Sequence, residues 1–295
     1  MNKSNNSIKR ITLTYIISLL PLILFGFYKN GISLYIKKYI NILEMFKPLV
    51  IILLGFLIGA IVNVIYEKKI NKNKDNIKDI IFSSLHPIYG ILIGCISSIN
   101  TNIILFSLVT LIILLISKFT KNTKINYITL TSLIIFFIMN IFGKFSFLNA
   151  YEVSNNFNMN TIDYLFGKGN GGIVTTNILL LIISYIILYN SNIYKRNIPI
   201  YSFISFLLLT IIYCFIKNDI GNIMNMLFTN GILFSFVYIA SEPNSSSYTR
   251  LGSTIYGIIV GVLSFIFYLI NPALSSLGGI FITSIFNSLI DLKFE

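Results

Sequence analysis

What this chain can fold into is constrained most by one alternation. Near-continuous apolar segments of about bilayer length are separated by short polar stretches, and the basic residues collect in those stretches. The segments run at about Ile11 to Tyr28, Pro48 to Tyr66, Ile80 to Ser97, Asn102 to Ser117, Tyr127 to Phe147, Ile173 to Tyr189, Pro199 to Ile216, Met226 to Ala240, Thr254 to Ile270 and Gly278 to Ile290, ten in all. In hydrocarbon each segment has to satisfy its own backbone amides, which a helix does. The expected fold class is therefore all-α integral membrane, with about ten transmembrane helices. Charge supports it: 11% of residues are charged, against roughly 25% in soluble domains. The net charge of +12 invites a nucleic-acid reading, but its residues sit in runs between apolar segments, where membrane orientation places them. The expected surroundings are a lipid bilayer, with no nucleic acid as partner.

Lys3, Lys9 and Arg10 precede the first apolar run, and no small-residue cleavage site follows it, so an uncleaved first helix is expected. With that end inside, the inner loops hold 15 of the 22 basic residues, among them Lys68, Lys69, Lys118, Lys124, Lys195, Arg196 and Arg250. This places both termini in the cytoplasm and the chain in the cell (inner or plasma) membrane as a multi-pass protein. Residues 29 to 47 carry Lys29, Lys37, Lys38 and Lys47 among apolar positions at helical spacing, which predicts an amphipathic helix on the outer surface. Residues 1–147 then form a first five-helix half, 148–172 an outer loop and 173–295 a second half. Five is odd, so any repeat relating the halves is inverted, a plan that places the working site between them near the midplane.

The outer loop is rich in asparagine and closes in Gly167, Gly169, Gly171 and Gly172. Such a run lets backbone turn sharply and approach a ligand closely, while the plainer reading is a flexible connector. Cys95 and Cys214 fall inside apolar segments without a C-x-x-C pattern, and the single His86, next to Pro87, leaves no histidine cluster, so no metal site is expected. Asn63, Asn140, Asn230 and Asn287 lie within predicted spans, where interhelical amide contacts account for them. No complete catalytic site is legible, and no relay of buried charges marks an ion route.

The second half carries a series of motifs. From Leu165 the chain reads L-F-G-K-G-N-G-G-I-V-T-T-N, and R-N-I-P follows at Arg196 to Pro199. Tyr238 to Gly257 reads Y-I-A-S-E-P-N-S-S-S-Y-T-R-L-G-S-T-I-Y-G, and Phe286 to Asp291 reads F-N-S-L-I-D. These stretches resemble L-x-G-x-x-x-G-S-L-G-E-T-S-A with W-R-I-P, then M-A-T-D-P-V-T-S-P with a later Tyr-Gly pair, then N-x-x-x-P-x-I-D. Those are motifs of the RnfD/NqrB family, whose members are membrane components of the Rnf electron-transport complex and of the sodium-translocating NADH:quinone oxidoreductase. The resemblance covers residues 165 to 295 in order, and the first half agrees in hydropathy.

The resemblance implies two inverted five-helix halves and a membrane subunit of an Rnf-type, redox-driven, ion-translocating complex, with the other membrane and peripheral subunits as partners. It also implies FMN, which the family attaches to a threonine in S-G-A-T. Here that place reads V-S-N-N-F, with Phe157 at the attachment position, so covalent FMN is not expected. Thr161 is a hydroxyl four residues on, without the Gly-Ala before it. The family's glutamate in G-E-T-S aligns with Thr175, and its N-x-F-N-P-A segment is reduced to T-K-I-N-Y-I-T at Thr123 to Thr129. Noncovalent FMN or riboflavin between the halves is the remaining expectation, with Gly169, Gly171, Gly172, Thr175, Thr176 and Thr161 as candidate binding residues. Thr175 and Thr176 follow glycines where a helix is expected to begin, so they suit either a phosphate or a plain N-cap. The alternative is a permease for a flavin or vitamin-like molecule on the same inverted scaffold.

Overall fold

The computed structural model describes residues 2–71, 76–120, 123–143, 159–191 and 194–294, with side chains described only between residues 8 and 291. The candidate attachment position Phe157 lies outside the described residues. Among those described, every regular element is helical.

Helix α1 (Asn2–Phe27) continues through a π turn at Tyr28–Ile32 into Ser33–Ile36, so the first apolar span runs from Ile8 to Ile36. Helix α2 (Ile42–Ile65) begins at Asn41, whose backbone N–H donates to Glu44 Oε2 at 3.1 Å in a capping box. These two ends replace the surface helix expected over residues 29–47. Lys38 sits at φ 61, the chain turns, and Lys29 and Asn30 are buried instead of lying on a membrane surface.

The third segment of each half is interrupted. In the first half α3 (Ile77–Ile81) ends before α4 (His86–Ile96), where an uninterrupted span over Ile80 to Ser97 was expected. Pro87 begins α4, since its missing N–H is harmless in a first helical turn. At 11 residues, α4 is about 16 Å long, half of the hydrocarbon layer. Helices α5 (Ile103–Phe119) and α6 (Tyr127–Ile141) complete that half, and α7 (Thr161–Leu165) is a single turn after it.

The second half opens with α8 (Ile178–Tyr189) and α9 (Asn197–Ile216). Its third segment is α10 (Ile223–Phe228), preceded by a 3-10 turn at Ile220–Asn222, then α11 (Ile232–Ser235), which runs into a π turn at Phe236–Ala240; the two pieces are bent by 45°. The break is local chemistry: Asn230 and Gly231 both take left-handed backbone, at φ 56 and 69. Asn230 is thus a hinge residue, where a span interior was expected. Helices α12 (Arg250–Ile270) and α13 (Ser275–Phe294) close the chain.

Five of these helices are long and apolar enough to cross a membrane, the bent pair makes a sixth, and four shorter apolar helices occupy the remaining expected positions. This is a multi-pass membrane protein. Lipid-exposed Ile17, Leu24, Leu53, Leu57 and Leu208 cover its flanks. Burial of apolar surface drives little helix association inside a bilayer, so close backbone contact takes over. At the α2–α4 crossing a Cβ on Gly55 would sit 2.7 Å from the carbonyl carbon of Gly90, a separation that only paired glycines permit. Ion pairs join neighbouring segment ends, Lys9 with Asp79 at 3.9 Å and Lys124 with Asp291 at 2.5 Å.

Candidate functional site

Five of the six candidate residues meet at one place. Gly169, Gly171, Gly172, Thr175 and Thr176 lie on the chain that leads into α8, and all are buried. The helix starts at Ile178, not at Ile173, and Asn177 is its cap, accepting from the Leu180 N–H at 2.9 Å. Thr175 and Thr176 are therefore not at a free helix start. The segment before them is held by the ends of the two interrupted spans. The Ile173 and Val174 amides donate to Ser97 O and Cys95 O at the end of α4, at 3.0 and 3.1 Å, and the Asn230 amide donates to Asn170 O at 2.7 Å.

Lys29 enters this junction from the first span. Its Nζ donates to Gly169 O at 2.7 Å and to Thr176 Oγ1 at 3.1 Å, while Asn30 Nδ2 donates to Ile173 O at 2.8 Å. The Cα faces of Gly171 and Gly172 abut protein closely. A Cβ on Gly172 would collide with the Ile96 carbonyl, and one on Gly171 would lie 2.7 Å from the Thr176 methyl. The polar groups of the segment are largely taken up by protein. Thr161 is separate: it opens the one-turn α7 with its side chain exposed, behind a capping box of Asn160 and Asp163. Lys168 bonds Asp163 at 2.6 Å and, with the Asn160 amide, holds that carboxyl below its usual range.

A second site lies where α4 begins and α5 ends, where the sequence named no candidate. A cavity of about 500 Å³ opens between the halves, lined by His86 and Tyr89 of α4, Ser117 and Lys118 of α5, Tyr127 of α6, and Glu242, Asn244 and Tyr248 of the loop after α11. At its base is Glu242, only 4% exposed. The Tyr89 hydroxyl and the Asn244 amide, the latter at 2.9 Å, donate to its Oε1, and the Ser245 amide donates to Oε2 at 2.8 Å. Three donors make the burial of a carboxylate tolerable. Tyr89 in turn accepts from Asn244 Nδ2 at 2.7 Å, so first half and second half are joined through this carboxylate.

Around Glu242 the walls are basic and aromatic. His86 lies between two hydroxyls, Ser117 Oγ at 3.0 Å and Ser84 Oγ at 3.2 Å. Lys118 donates to Asn63 Oδ1 at 2.5 Å and stands 5.1 Å from the Tyr66 ring centre. At the mouth Tyr248 lies between Lys124 and Lys195, 4.8 and 4.4 Å from its ring centre. Lys195 donates to Pro243 O and Ser246 O at 3.1 and 2.7 Å, so it holds the loop that carries Glu242. Burial pulls the Lys195 ammonium down to about 8, against the opposing pull of Glu242 and Asp291. The volume is within the range of small-ligand sites, and its walls combine aromatic rings with donors and acceptors.

Lys29 and Glu242 are the residues that sequence reasoning missed. Lys29 was absorbed into a predicted surface helix, whereas an isolated acid in A-S-E-P-N-S-S-S, at the end of an apolar segment, is a signal that marks Glu242.

Comparison with known proteins identifies relatives of the chain. A stretch of 117 residues, 38% of this chain, is 25% identical to the B subunit of the Na(+)-translocating NADH-quinone reductase of Stutzerimonas stutzeri (strain A1501), covering 29% of that protein. A shorter stretch of 47 residues, 16% of this chain, is 43% identical to the protein of the same name from Chlamydia pneumoniae, covering 9% of it. The matched stretches are thus well under half the length of either relative. The profile of the NQR2, RnfD, RnfE family, by contrast, matches residues 2–294. The chain belongs to the NQR2, RnfD, RnfE family.

Proposed function

We propose that this protein is a membrane subunit of a redox-driven, ion-translocating electron-transport complex of the Rnf or Nqr kind in the cell membrane, and that it holds FMN or riboflavin noncovalently in the cavity between the halves. Membership of the family over residues 2–294 carries the first part. The name shared by the two relatives, which makes each a component of a sodium-translocating NADH-quinone reductase, supports it. The cavity between Tyr89, Tyr127 and Tyr248 carries the second. A flavin supplies one- and two-electron transfer through its own ring, and the protein supplies binding and orientation. Here the tyrosines would bound the ring, Asn244 and Ser117 would meet its polar edge, and Lys118 and Lys124 would meet a phosphate. Glu242, held by the Tyr89 hydroxyl and two backbone amides, is fixed in place at the base of the site.

The test is purification of the tagged chain from native membranes in mild detergent. The expected result is co-purifying flavoprotein or iron-sulfur subunits, flavin released by denaturation, and no flavin fluorescence at the chain's own gel position. Ser117→Trp, which fills the cavity, should abolish the released flavin while partners stay bound. A fluorescent band that disappears with Thr161→Ala would refute the noncovalent reading. Uptake of a vitamin-like molecule by the chain alone, with no partner recovered, would instead establish the permease.

A further inference from the structure

A groove of about 350 Å³ runs along the outside of the second half between α8, α9 and the broken span α10–α11. Its walls are apolar, among them Ile182, Tyr185, Pro199, Phe203, Phe228 and Phe236. Ile182 and Ile200 on its rim are 50% and 41% exposed, so the groove opens toward the bilayer and not into the protein. At its inner end stands Arg196, one helical turn before Pro199 and Ile200. The Tyr185 hydroxyl donates to the Arg196 backbone carbonyl at 3.2 Å, and the guanidinium lies 4.6 Å from the Tyr189 ring centre. Among the described residues no carboxylate lies within ion-pair distance of Arg196.

We infer that this groove seats one acyl chain of an anionic phospholipid from the inner leaflet, with its phosphate on Arg196. Three observations favour a lipid over other occupants. The groove lies on the membrane-facing side of the spans, where acyl chains are the solvent. A guanidinium planted beside an aromatic ring at its inner end matches a phosphate, which arginine binds through two parallel N–H donors. Helix α8 has only 12 residues, about 18 Å, so the headgroup plane beside it has to dip toward Arg196. Apolar chains gain little by exchanging lipid for protein, so the headgroup charge decides which lipid is held. A basic residue at the membrane surface then favours an anionic headgroup about fivefold.

The inference is independent of the redox reading, because it concerns the outer flank and needs no flavin. Native mass spectrometry of the full chain, with equal amounts of phosphatidylglycerol and phosphatidylcholine, tests it. The expected result is one retained phosphatidylglycerol, preferred about fivefold. Arg196→Gln should bring the two lipids to parity, and Arg196→Lys, which keeps the charge but not the bidentate fork, should lower the preference without abolishing it. Ile182→Trp, which obstructs the groove, should lower retention of both lipids, with correct folding checked by a thiol-dye melting curve. An unchanged preference in Arg196→Gln, or unchanged retention in Ile182→Trp, would overturn the inference. So would a crosslink from Ile182→Cys in native membranes to another protein, which would assign the groove to a partner helix.

Discussion

Replacing Gly172 by alanine should be among the most damaging single-methyl additions in the molecule. The new Cβ would overlap the carbonyl of Ile96 and lie 2.9 Å from its Cα, and backbone atoms cannot swing aside as a side-chain tip does. Overpacking of this kind costs about 1–3 kcal/mol. Relief requires the segment to withdraw from α4, which breaks the bonds from Ile173 N to Ser97 O and from Val174 N to Cys95 O, at 3.0 and 3.1 Å. Each is worth about 1 kcal/mol, and with about 1 kcal/mol of overpacking left after withdrawal the total is about 3 kcal/mol. At roughly 2–4 °C per kcal/mol for a chain of this size class, the midpoint should fall by about 6–12 °C. The protein carries its own reporter: Cys95 and Cys214 are free and buried, so a thiol-reactive dye reads unfolding directly. Gly221→Ala is the control, since nothing lies within 4 Å of a Cβ there and its backbone is ordinary. Compared at one heating rate, a Gly172→Ala midpoint no lower than that of the control would refute the account of the junction.

Three further predictions follow the same geometry. The Lys195 amine should be acylated with a midpoint near pH 8 rather than near the ordinary lysine value of about 10.4, as quantified by peptide mass spectrometry; titration above pH 10 would contradict its burial. Because the unfolded chain binds this proton more tightly than the folded one, its contribution to stability rises with pH between about 8 and about 10.4. A membrane-impermeant thiol reagent should label Thr161→Cys in intact cells and spare Lys69→Cys, both exposed positions, and the reverse pattern would invert the topology. Gly231→Ala should also lower the melting midpoint, since residue 231 is left-handed and its Cβ would lie 2.8 Å from Thr175 Oγ1, whereas retention of the native midpoint would remove the hinge from the account.

The membrane class, the ten apolar segments and the family could be read from the chain alone. Hydropathy is a local property: a run such as Leu179 to Tyr189 must sit in hydrocarbon whatever it packs against, and positive charge orients loops one by one. The motif series at Leu165, Tyr238 and Phe286 is likewise a matter of residue order. Local chemistry also contained the breaks. Asn230-Gly231 and the Pro87 helix start are both visible in sequence, but an apolar run hides whether such residues interrupt it, because hydropathy averages over them.

What only the tertiary structure decided depends on pairs far apart in the chain. Which groups meet the glycine segment was decided by Ser97, Cys95 and Lys29, which approach it from other spans and bond to its backbone. Lys29 has the sequence context of a surface lysine; its burial comes from continuation of α1 through a π turn, which carries its stem beneath the loop. The cavity between the halves has no sequence signature either. It is a gap left where two short elements, α4 and the loop after α11, meet from opposite halves, and Tyr89 and Glu242 become partners across 153 residues of chain. Periodicity reports which face of a helix is apolar, while the space between faces is set by how the helices cross, and that is a property of the assembled fold alone.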